Sequence, residues 1–253
     1  LNPHVYSDTV FFLGNFSKSF LLVEKYFFGI GATIASFLFF FSIGSHAKNL
    51  VVGVENIEYY PIYTVDGGEY GGYARELIDS FAEKYGHTVT YKPLPIKRLF
   101  GTFLDGGLDL KFPDNKHWAS DAKKGKNVIY STPALEYIDG AMVLPSRLGQ
   151  GEEKLKKLGV IRGFTPWDYL ASIKAGKIDA KENKQMSHLM RMAESGRVDA
   201  VYFNVLVARY FLKHSDFEDD LVKYDPALPH TQDFYYLSSI KHPDVITQFN
   251  EFM

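Results

Sequence analysis

The sequence has no cysteine among its 253 residues, which excludes disulfides, thiolate metal sites and a lipid-anchored lipoprotein. The eight histidines are scattered, with no pair four residues apart, so neither a metal site nor a cofactor is expected. A formal net charge of -2 argues against a nucleic-acid partner, because phosphate backbones bind basic surfaces. No Gly-rich phosphate loop and no Ser-His-Asp order is recognisable. The sequence therefore shows no motif that indicates a particular catalytic reaction.

One long apolar run is present, at residues 26–43, and it holds no charged side chain. It follows Lys25 and is followed by Ser45-His46-Ala47, a small-x-small pattern typical of signal-peptidase sites. We therefore expect a cleaved signal peptide and a periplasmic mature chain from Lys48. The alternative is an uncleaved inner-membrane anchor, because the run is just long enough to span a bilayer.

Both ends of the sequence raise expectations of their own. The chain begins with Leu1 and its first methionine is Met142, so we expect translation from Val23 by a non-AUG codon. Residues 1–47 are expected to lie outside the folded protein. The sequence stops at Met253 inside an amphipathic pattern, which predicts that the final helix is incomplete.

Apolar periodicity after residue 48 predicts alternating strands and helices. Predicted strands are 49–54, 88–91, 108–112, 140–144, 158–162, 178–180, 198–203 and 234–240. Predicted helices start after Gly72, at Lys97, near Pro166, at Met186, at Val205 and at Pro243. Thr165 is the expected N-cap of the helix near Pro166. The β-α-β order predicts parallel sheets, and its restart after residue 140 favours two related α/β lobes.

Several segments carry a resemblance in their order and spacing. They are Leu50–Val54, Tyr60–Tyr63, Gly71–Leu77, Leu104–Asp109, Ser131–Pro133, Gly159–Thr165 and Gly196–Val201. Over residues 49–253 the chain resembles bacterial extracellular solute-binding proteins of family 3, the periplasmic receptors of polar amino-acid ABC transporters. The resemblance implies a two-lobed periplasmic-binding-protein fold of type II, with a cleft between the lobes.

The resemblance also implies domain boundaries and a function. Lobe 1 is expected at 48–140 plus 236–253 and lobe 2 at 141–235, with crossings near Asp139–Leu144 and Phe234–Ile240. The implied function is capture of a small polar solute by hinge closure, by a monomer, for an ABC permease or a membrane sensor. The alternatives are an enzyme on the same fold, similar to cyclohexadienyl dehydratase, and a ligand-sensing module for a membrane signalling partner.

Candidate binding residues follow the predicted strands, because ligands in such sheets lie beyond the carboxyl ends of parallel strands. Gly163, Phe164 and Thr165 can offer N–H groups and a hydroxyl to an anion, or can simply cap a helix. Arg162 can pair with an acidic ligand group or lie on the surface. One of Tyr59, Tyr60 and Tyr63 can stack on a ligand, and the other two can pack in the core.

A third group of candidates includes departures from the family pattern. Arg98 can face the cleft or lie on a solvated helix face. Phe112, Asp114 and Trp118 follow the third strand, where relatives carry an arginine that clamps an α-carboxylate, and this segment has none. Asn204 stands where relatives carry an aspartate for the α-ammonium. Both usual anchors of a zwitterion are thus altered, and a small polar ligand with different charges fits as well.

Overall fold

A computed structural model describes residues 24, 26–28, 30, 31 and 47–253. Most of the predicted signal segment lies outside these described residues, so its cleavage stays a prediction. Within the described part, none of the helices has the length and hydropathy that a bilayer span requires. Residue contacts group residues 49–84 and 88–253 into one compact unit, and the candidate site lies inside it. In the other unit, the Tyr85 ring stacks on His87.

The described strands and helices alternate along the chain, as the periodicity predicted. The strands are β1 Asn49–Glu55, β2 Thr64–Asp66, β3 Glu69–Gly71, β4 Thr88–Leu94, β5 Leu110–Asp114, β6 Ile129–Tyr130, β7 Leu135–Val143, β8 Lys157–Ile161, β9 Asp179–Asn183, β10 Ala200–Asn204, β11 Lys223–Tyr224 and β12 His230–Ser239. The helices are α1 Tyr73–Tyr85, α2 Ile96–Leu104, α3 Ser120–Lys123, α4 Leu170–Lys174, α5 Met186–Glu194, α6 Val205–Lys213 and α7 Pro243–Phe252.

The main sheet has ten strands, with the central order β4-β1-β5-β12-β7-β10-β8-β9. Strand β1 pairs in parallel with β4 and β5, and β8 pairs in parallel with β9 and β10. The antiparallel strands β12 and β7 lie between these two parallel groups and pair with each other. Two groups of parallel strands with helical crossovers are thus joined by two long strands, which is the arrangement that the family resemblance implied.

Local sequence explains how the first group of strands is built. In β1, Leu50, Val52 and Val54 are buried on one face of the strand. The opposite face is turned toward α2, because Val51 packs against the apolar cluster that contains its Leu99 and a Cβ at Gly53 would lie 2.6 Å from the Leu99 Cδ1. Gly72 precedes α1 with φ +90°, and a Cβ there would lie 2.9 Å from the Tyr63 Cα. Only glycine meets both conditions, so the predicted helix start after Gly72 is confirmed.

The second group of strands corrects one expectation. The helix expected from about Pro166 begins at Trp167, as a 3-10 turn over Trp167–Tyr169 that continues into the short α4. The expected N-cap at Thr165 is wrong, because Pro166 occupies the cap position and no side chain caps the turn. The ψ of Pro166 is 80°, which lies outside the helical region, and proline has no N–H to donate. The segment therefore starts with a 3-10 turn and becomes α-helical only at Leu170.

Other bounds agree more closely. Helix α6 begins at Val205, as predicted, because the Asn204 Oδ1 accepts a hydrogen bond from the Val207 N–H at 3.1 Å. The strand expected at residues 178–180 lies at Asp179–Asn183 instead. The sequence interpretation missed the β2–β3 hairpin, which turns at Gly67-Gly68 with positive φ at both glycines.

Candidate ligand-binding site

A cavity of about 420 Å³ opens at the carboxyl ends of the parallel strands. Its size is typical of sites for small organic ligands. The residues that line it are mainly aromatic or apolar, with two carboxylates. They are Glu55, Tyr59, Tyr63, Ile96, Lys97, Phe100, Gly101, Leu104, Trp118, Ala119, Ala122, Asp139, Gly163, Phe164, Thr165, Trp167, Tyr202 and Tyr235.

Each wall comes from a different part of the sheet. Glu55 ends β1, Tyr202 lies in the middle of β10, and the loop with Gly163 follows β8. The two long joining strands contribute Asp139 from β7 and Tyr235 from β12. Helix α2 supplies one further face. Strand ends that are far apart in sequence therefore meet at one point, as expected for ligand sites in open α/β sheets.

Aromatic rings form a continuous wall around Tyr59. Its ring centroid lies 4.9 Å from Tyr63, 5.1 Å from Phe203 and 5.6 Å from Phe164. Tyr59 follows β1, whereas Phe164 and Phe203 belong to the second group of strands. Ring contacts of this kind hold the two groups of strands against each other at the back of the cavity.

Gly163 allows the loop after β8 to approach α2 closely. Its φ is +97°, and a Cβ built on it would lie 3.4 Å from the Ile96 Cβ. A side chain at this position would be strained in its backbone, and its Cβ would lie in van der Waals contact with Ile96. The glycine is therefore required for the closed wall between this loop and the start of α2.

Glu55 is buried at the inner end of the cavity. The Tyr63 hydroxyl donates a hydrogen bond of 2.6 Å to the Glu55 Oε2. Burial raises the pKa of this carboxyl group, and the nearby Lys111 ammonium together with the Tyr63 hydroxyl opposes the shift in part. Glu55 is thus a carboxyl group with a hydrogen-bond partner of its own.

Asp139 is the second carboxyl group and differs from Glu55 in its surroundings. The residue is half-buried, and its Oδ1 is fully enclosed without a hydrogen-bond partner. Burial raises the pKa of Asp139 to about 7; the neighbouring Asp168 and Glu55 add to the increase, and the Asn204 amide opposes it. Asn204 is the register partner of Asp139 across the β10–β7 ladder. The cavity thus contains a carboxylate that the described protein groups only partly compensate.

Asp168 lies behind the same wall and is well bonded. Its Oδ2 accepts hydrogen bonds from the Tyr202 hydroxyl at 2.7 Å and from the Thr231 hydroxyl at 2.9 Å. Burial raises the pKa of Tyr202, so this hydroxyl stays protonated and continues to donate. The bond fixes the ring of Tyr202 at the edge of the cavity.

A second cluster of charges lies behind the aromatic wall. The Asp114 Oδ1 accepts a hydrogen bond from the Lys123 Nζ at 2.9 Å and lies 3.4 Å from the Lys111 Nζ. The Lys111 Nζ lies 4.2 Å from the ring centroid of Phe100, which is a cation–π contact. None of the three charged residues lines the cavity. Their charges are used in holding β5 and α3 together.

The structure brings together five of the eleven predicted site residues. Tyr59, Trp118, Gly163, Phe164 and Thr165 all line the cavity. Their contribution to binding stays a prediction. The Phe164 N–H, however, is occupied by the Ile161 carbonyl oxygen at 3.0 Å. The expected set of free N–H groups for an anion is therefore reduced.

Six other predicted residues lie outside the cavity lining, although their expected role in binding is untested. Tyr60 is exposed and packs on Tyr210, and Arg98 is exposed on α2. Phe112 is fully buried in β5. The remaining three are Asp114 in the charge cluster, Arg162 near Glu182 on the surface, and Asn204 at the start of α6.

Sequence reasoning missed several residues of the lining, notably Glu55, Asp139, Tyr202 and Tyr235. Glu55 and Tyr202 lie at the ends of predicted strands, so the same rule that selected Gly163 could have found them. Asp139 and Tyr235 lie on the two joining strands. Their inclusion depends on how those strands cross, which periodicity does not show.

Among the described residues, no group of three or more His, Cys, Asp or Glu side chains could hold a metal ion. No protein-family model matches the sequence, and no curated protein matches it. Solved structures do match the fold. An ancestral arginine-binding protein bound to arginine has a TM-score of 0.63 at 22% identity, covering 81% of this chain and 90% of that one.

Two further structures agree with this similarity. One is AbpA of Streptococcus pneumoniae, an amino-acid ABC transporter substrate-binding protein bound to L-arginine, with a TM-score of 0.63, 21% identity and coverage of 83% and 89%. The other is a histidine kinase sensor domain with similarity to periplasmic binding proteins, with a TM-score of 0.63, 17% identity and coverage of 82% and 89%. The chain therefore has the two-lobed fold of periplasmic binding proteins, and the predicted fold class is confirmed.

Proposed function

We propose that this chain is an exported receptor that captures a small polar solute between its two lobes and releases it unchanged. The observation that carries the proposal is the cavity of about 420 Å³ at the carboxyl ends of the parallel strands. Its aromatic wall offers stacking surfaces, and its carboxylates offer a small number of polar anchors. Hinge motion of the joining strands β7 and β12 would open and close the site.

The neighbouring structures favour a transport role. Two of them are bound to arginine, and one is a substrate-binding protein of an amino-acid ABC transporter. We infer that the partner is an ABC permease and that the receptor acts as a periplasmic monomer. Lobe 1 would comprise residues 48–140 and 236–253, and lobe 2 residues 141–235.

Two other functions have specific support. The sensor-domain neighbour favours a ligand-sensing module that reports to a membrane kinase. Asp139 favours an enzyme, because a cavity carboxyl group with a pKa of about 7 is suited to proton transfer. Among the described lining residues, however, there is no Ser, Cys or His to act as a paired nucleophile or base, and the one lysine, Lys97, is exposed.

Tryptophan fluorescence provides the test of the receptor function. The chain has two tryptophans, Trp118 and Trp167, and both line the cavity. Titration with a panel of amino acids, amines, small carboxylates and sugars should therefore produce a saturable change for at least one solute. The bound solute should be recovered unaltered by mass spectrometry. A silent panel would refute the receptor function, and product formation from any bound solute would support the enzyme instead.

A further inference from the structure

We infer that the solute is an organic cation without a carboxylate, whose N–H-bearing positive group lies against Asp139 and whose body lies among the aromatic rings. This inference rests on the proposed receptor function and specifies its ligand class. Protonated amines and guanidinium compounds belong to that class. Amino acids do not, because they carry an α-carboxylate.

The charges of the cavity wall are the first support. Two carboxylates, Glu55 and Asp139, line the interior. Among the described lining residues, Lys97 is the only cationic side chain, and it is exposed near the start of α2. A cation entering this cavity therefore gains attraction at the wall, whereas a ligand carboxylate faces two groups of its own sign.

Asp139 is the cavity carboxyl group with an oxygen, Oδ1, that lacks a hydrogen-bond partner. Glu55 already accepts the Tyr63 hydroxyl at 2.6 Å, and no described cationic side chain forms an ion pair with Asp139. A half-buried carboxylate with an enclosed, unpartnered oxygen is costly unless a ligand supplies positive charge. Burial raises the pKa of Asp139 to about 7, so a bound cation would also draw off its proton.

The aromatic wall suits the rest of such a ligand. Tyr59, Phe100, Trp118, Phe164 and Trp167 line the cavity and present rings to it. Ring faces attract ammonium and guanidinium groups, and they pack equally well against an apolar body. The wall thus favours a cation with a hydrophobic or planar remainder.

Among the described lining residues, the only cationic partner for a ligand carboxylate is the exposed Lys97. The Lys111 and Lys123 ammonium groups are engaged by Asp114 and by the carbonyl oxygens of Pro113 and Asn115. Arg162 lies on the surface, 3.7 Å from Glu182. The loop after β8 leads into a 3-10 turn and a five-residue helix, which is too short to act as an anion site through its dipole.

The test compares ligands that share a body and differ in their amino and carboxylate groups. Tyramine, tyrosine and 3-(4-hydroxyphenyl)propionate share one ring and carry a cation, a zwitterion and an anion. Agmatine, arginine and 4-guanidinobutyrate share a guanidinium group; agmatine is a dication without a carboxylate, arginine adds an α-carboxylate, and 4-guanidinobutyrate is a zwitterion. Each is titrated into the purified full chain by calorimetry and tryptophan fluorescence. We expect the carboxylate-free cation of at least one series to bind at least about tenfold more tightly than its carboxylate-bearing analogues, with no measurable binding of the 3-(4-hydroxyphenyl)propionate anion.

Three variants test whether Asp139 is the cause of the preference for a cation. Asp139→Asn keeps the shape of the side chain and should weaken binding of the cation by about 10- to 100-fold. Asp216→Asn removes the same charge from an exposed position away from the cavity and should leave the affinity unchanged. Lys97→Gln should strengthen binding of the cation by no more than about threefold, because an exposed like charge repels only weakly.

The outcomes separate this inference from the receptor function. Equal affinity for zwitterion and cation, together with weaker binding in Lys97→Gln, would overturn the inference and keep the receptor function. Preference for an anion, or an Asp139→Asn variant that binds the cation normally, would do the same. If none of the six probes binds, the ligand class proposed here is wrong; the receptor function falls only when the wider panel is silent as well.

Discussion

Two aspartates of this chain, Asp114 and Asp139, are enclosed by the same fold and yet have opposite environments. Asp114 accepts hydrogen bonds from the Lys123 ammonium, the Ser238 hydroxyl at 2.6 Å and the Asn115 N–H at 2.8 Å. Asp139 has an enclosed Oδ1 without a partner. The protein therefore compensates one carboxylate completely and leaves the other one in need of positive charge.

The number of hydrogen-bond and ion-pair partners distinguishes a structural aspartate from a candidate binding aspartate, which residue type alone does not. A compensated carboxylate such as Asp114 joins β5, α3 and β12. Its removal would leave Lys111 and Lys123 without a counter-charge. An uncompensated carboxylate such as Asp139 costs stability in the empty protein, and this cost is recovered when a ligand binds. The same substitution at both positions should therefore have opposite signatures.

The largest effect is expected from Asp114→Asn. The substitution keeps the shape but leaves the ammonium groups of Lys111 and Lys123 without a counter-charge in a buried site, so the free energy of unfolding should fall by about 3–5 kcal/mol. Urea denaturation followed by circular dichroism would measure it. A fall below about 1 kcal/mol would mean that water reaches this cluster and that the contrast with Asp139 is false.

The second prediction concerns Asp139 and pH. Its pKa rises from 3.8 to about 7 on folding, so the folded state of the empty protein binds more protons than the unfolded state between these values. Stability therefore declines as pH rises from about 4 to about 7 and levels off above. Asp139→Asn lacks this decline and should be more stable than the parent at pH 8, by about 1–4 kcal/mol.

The measurement is a pair of unfolding curves at each pH, because other groups titrate in both proteins and cancel in the difference. Asp168 and Glu55 face Asp139 and raise its pKa, while the Asn204 amide lowers it, and all three remain in the variant. Parallel profiles from pH 4 to pH 8 would show that Asp139 titrates normally, and the comparison with Asp114 would lose its basis.

The sequence predicted the order of strands and helices but only some of the residues that line the cavity. Strand ends such as the loop at Gly163 were accessible, because periodicity locates strands and parallel strands align their carboxyl ends. Asp139 was not accessible in this way. Its position depends on the register of β7 against β10, where it lies opposite Asn204. No hairpin turn joins these two strands, which lie far apart in the chain, so the pattern within either strand alone does not show which residues pair.

Asp114 shows the opposite limit. It follows a predicted strand, as a site residue would, and nothing nearby in the sequence distinguishes it from one. Its true partners are Lys123, nine positions on, and Ser238, far along the chain in β12. A residue type at a strand end is therefore a candidate, and its partners in space decide whether it binds a ligand or holds the fold.

The third prediction uses the other cavity carboxyl group, Glu55. Tyr63→Phe keeps the ring but removes the hydroxyl that donates to Glu55, so stability at pH 7 should fall by about 1–3 kcal/mol. Tyr70→Phe is a matched control, since the Tyr70 hydroxyl is buried without a hydrogen-bond partner and its loss should be neutral or stabilising. Equal costs for the two variants would contradict the assigned role of the Tyr63 hydroxyl.

The smallest effect is expected at Arg162, a predicted ligand-binding residue that the structure places on the surface. Its Nε lies 3.7 Å from the Glu182 Oε2, and both side chains are more than half exposed. Exposed pairs of this kind contribute little, so Arg162→Gln should change stability by no more than about 0.5 kcal/mol. Affinity for the cation should also stay within about twofold, because Arg162 does not line the cavity. A tenfold loss of affinity would instead place Arg162 at the ligand, and would mean that binding draws a surface charge into the site to meet a ligand carboxylate.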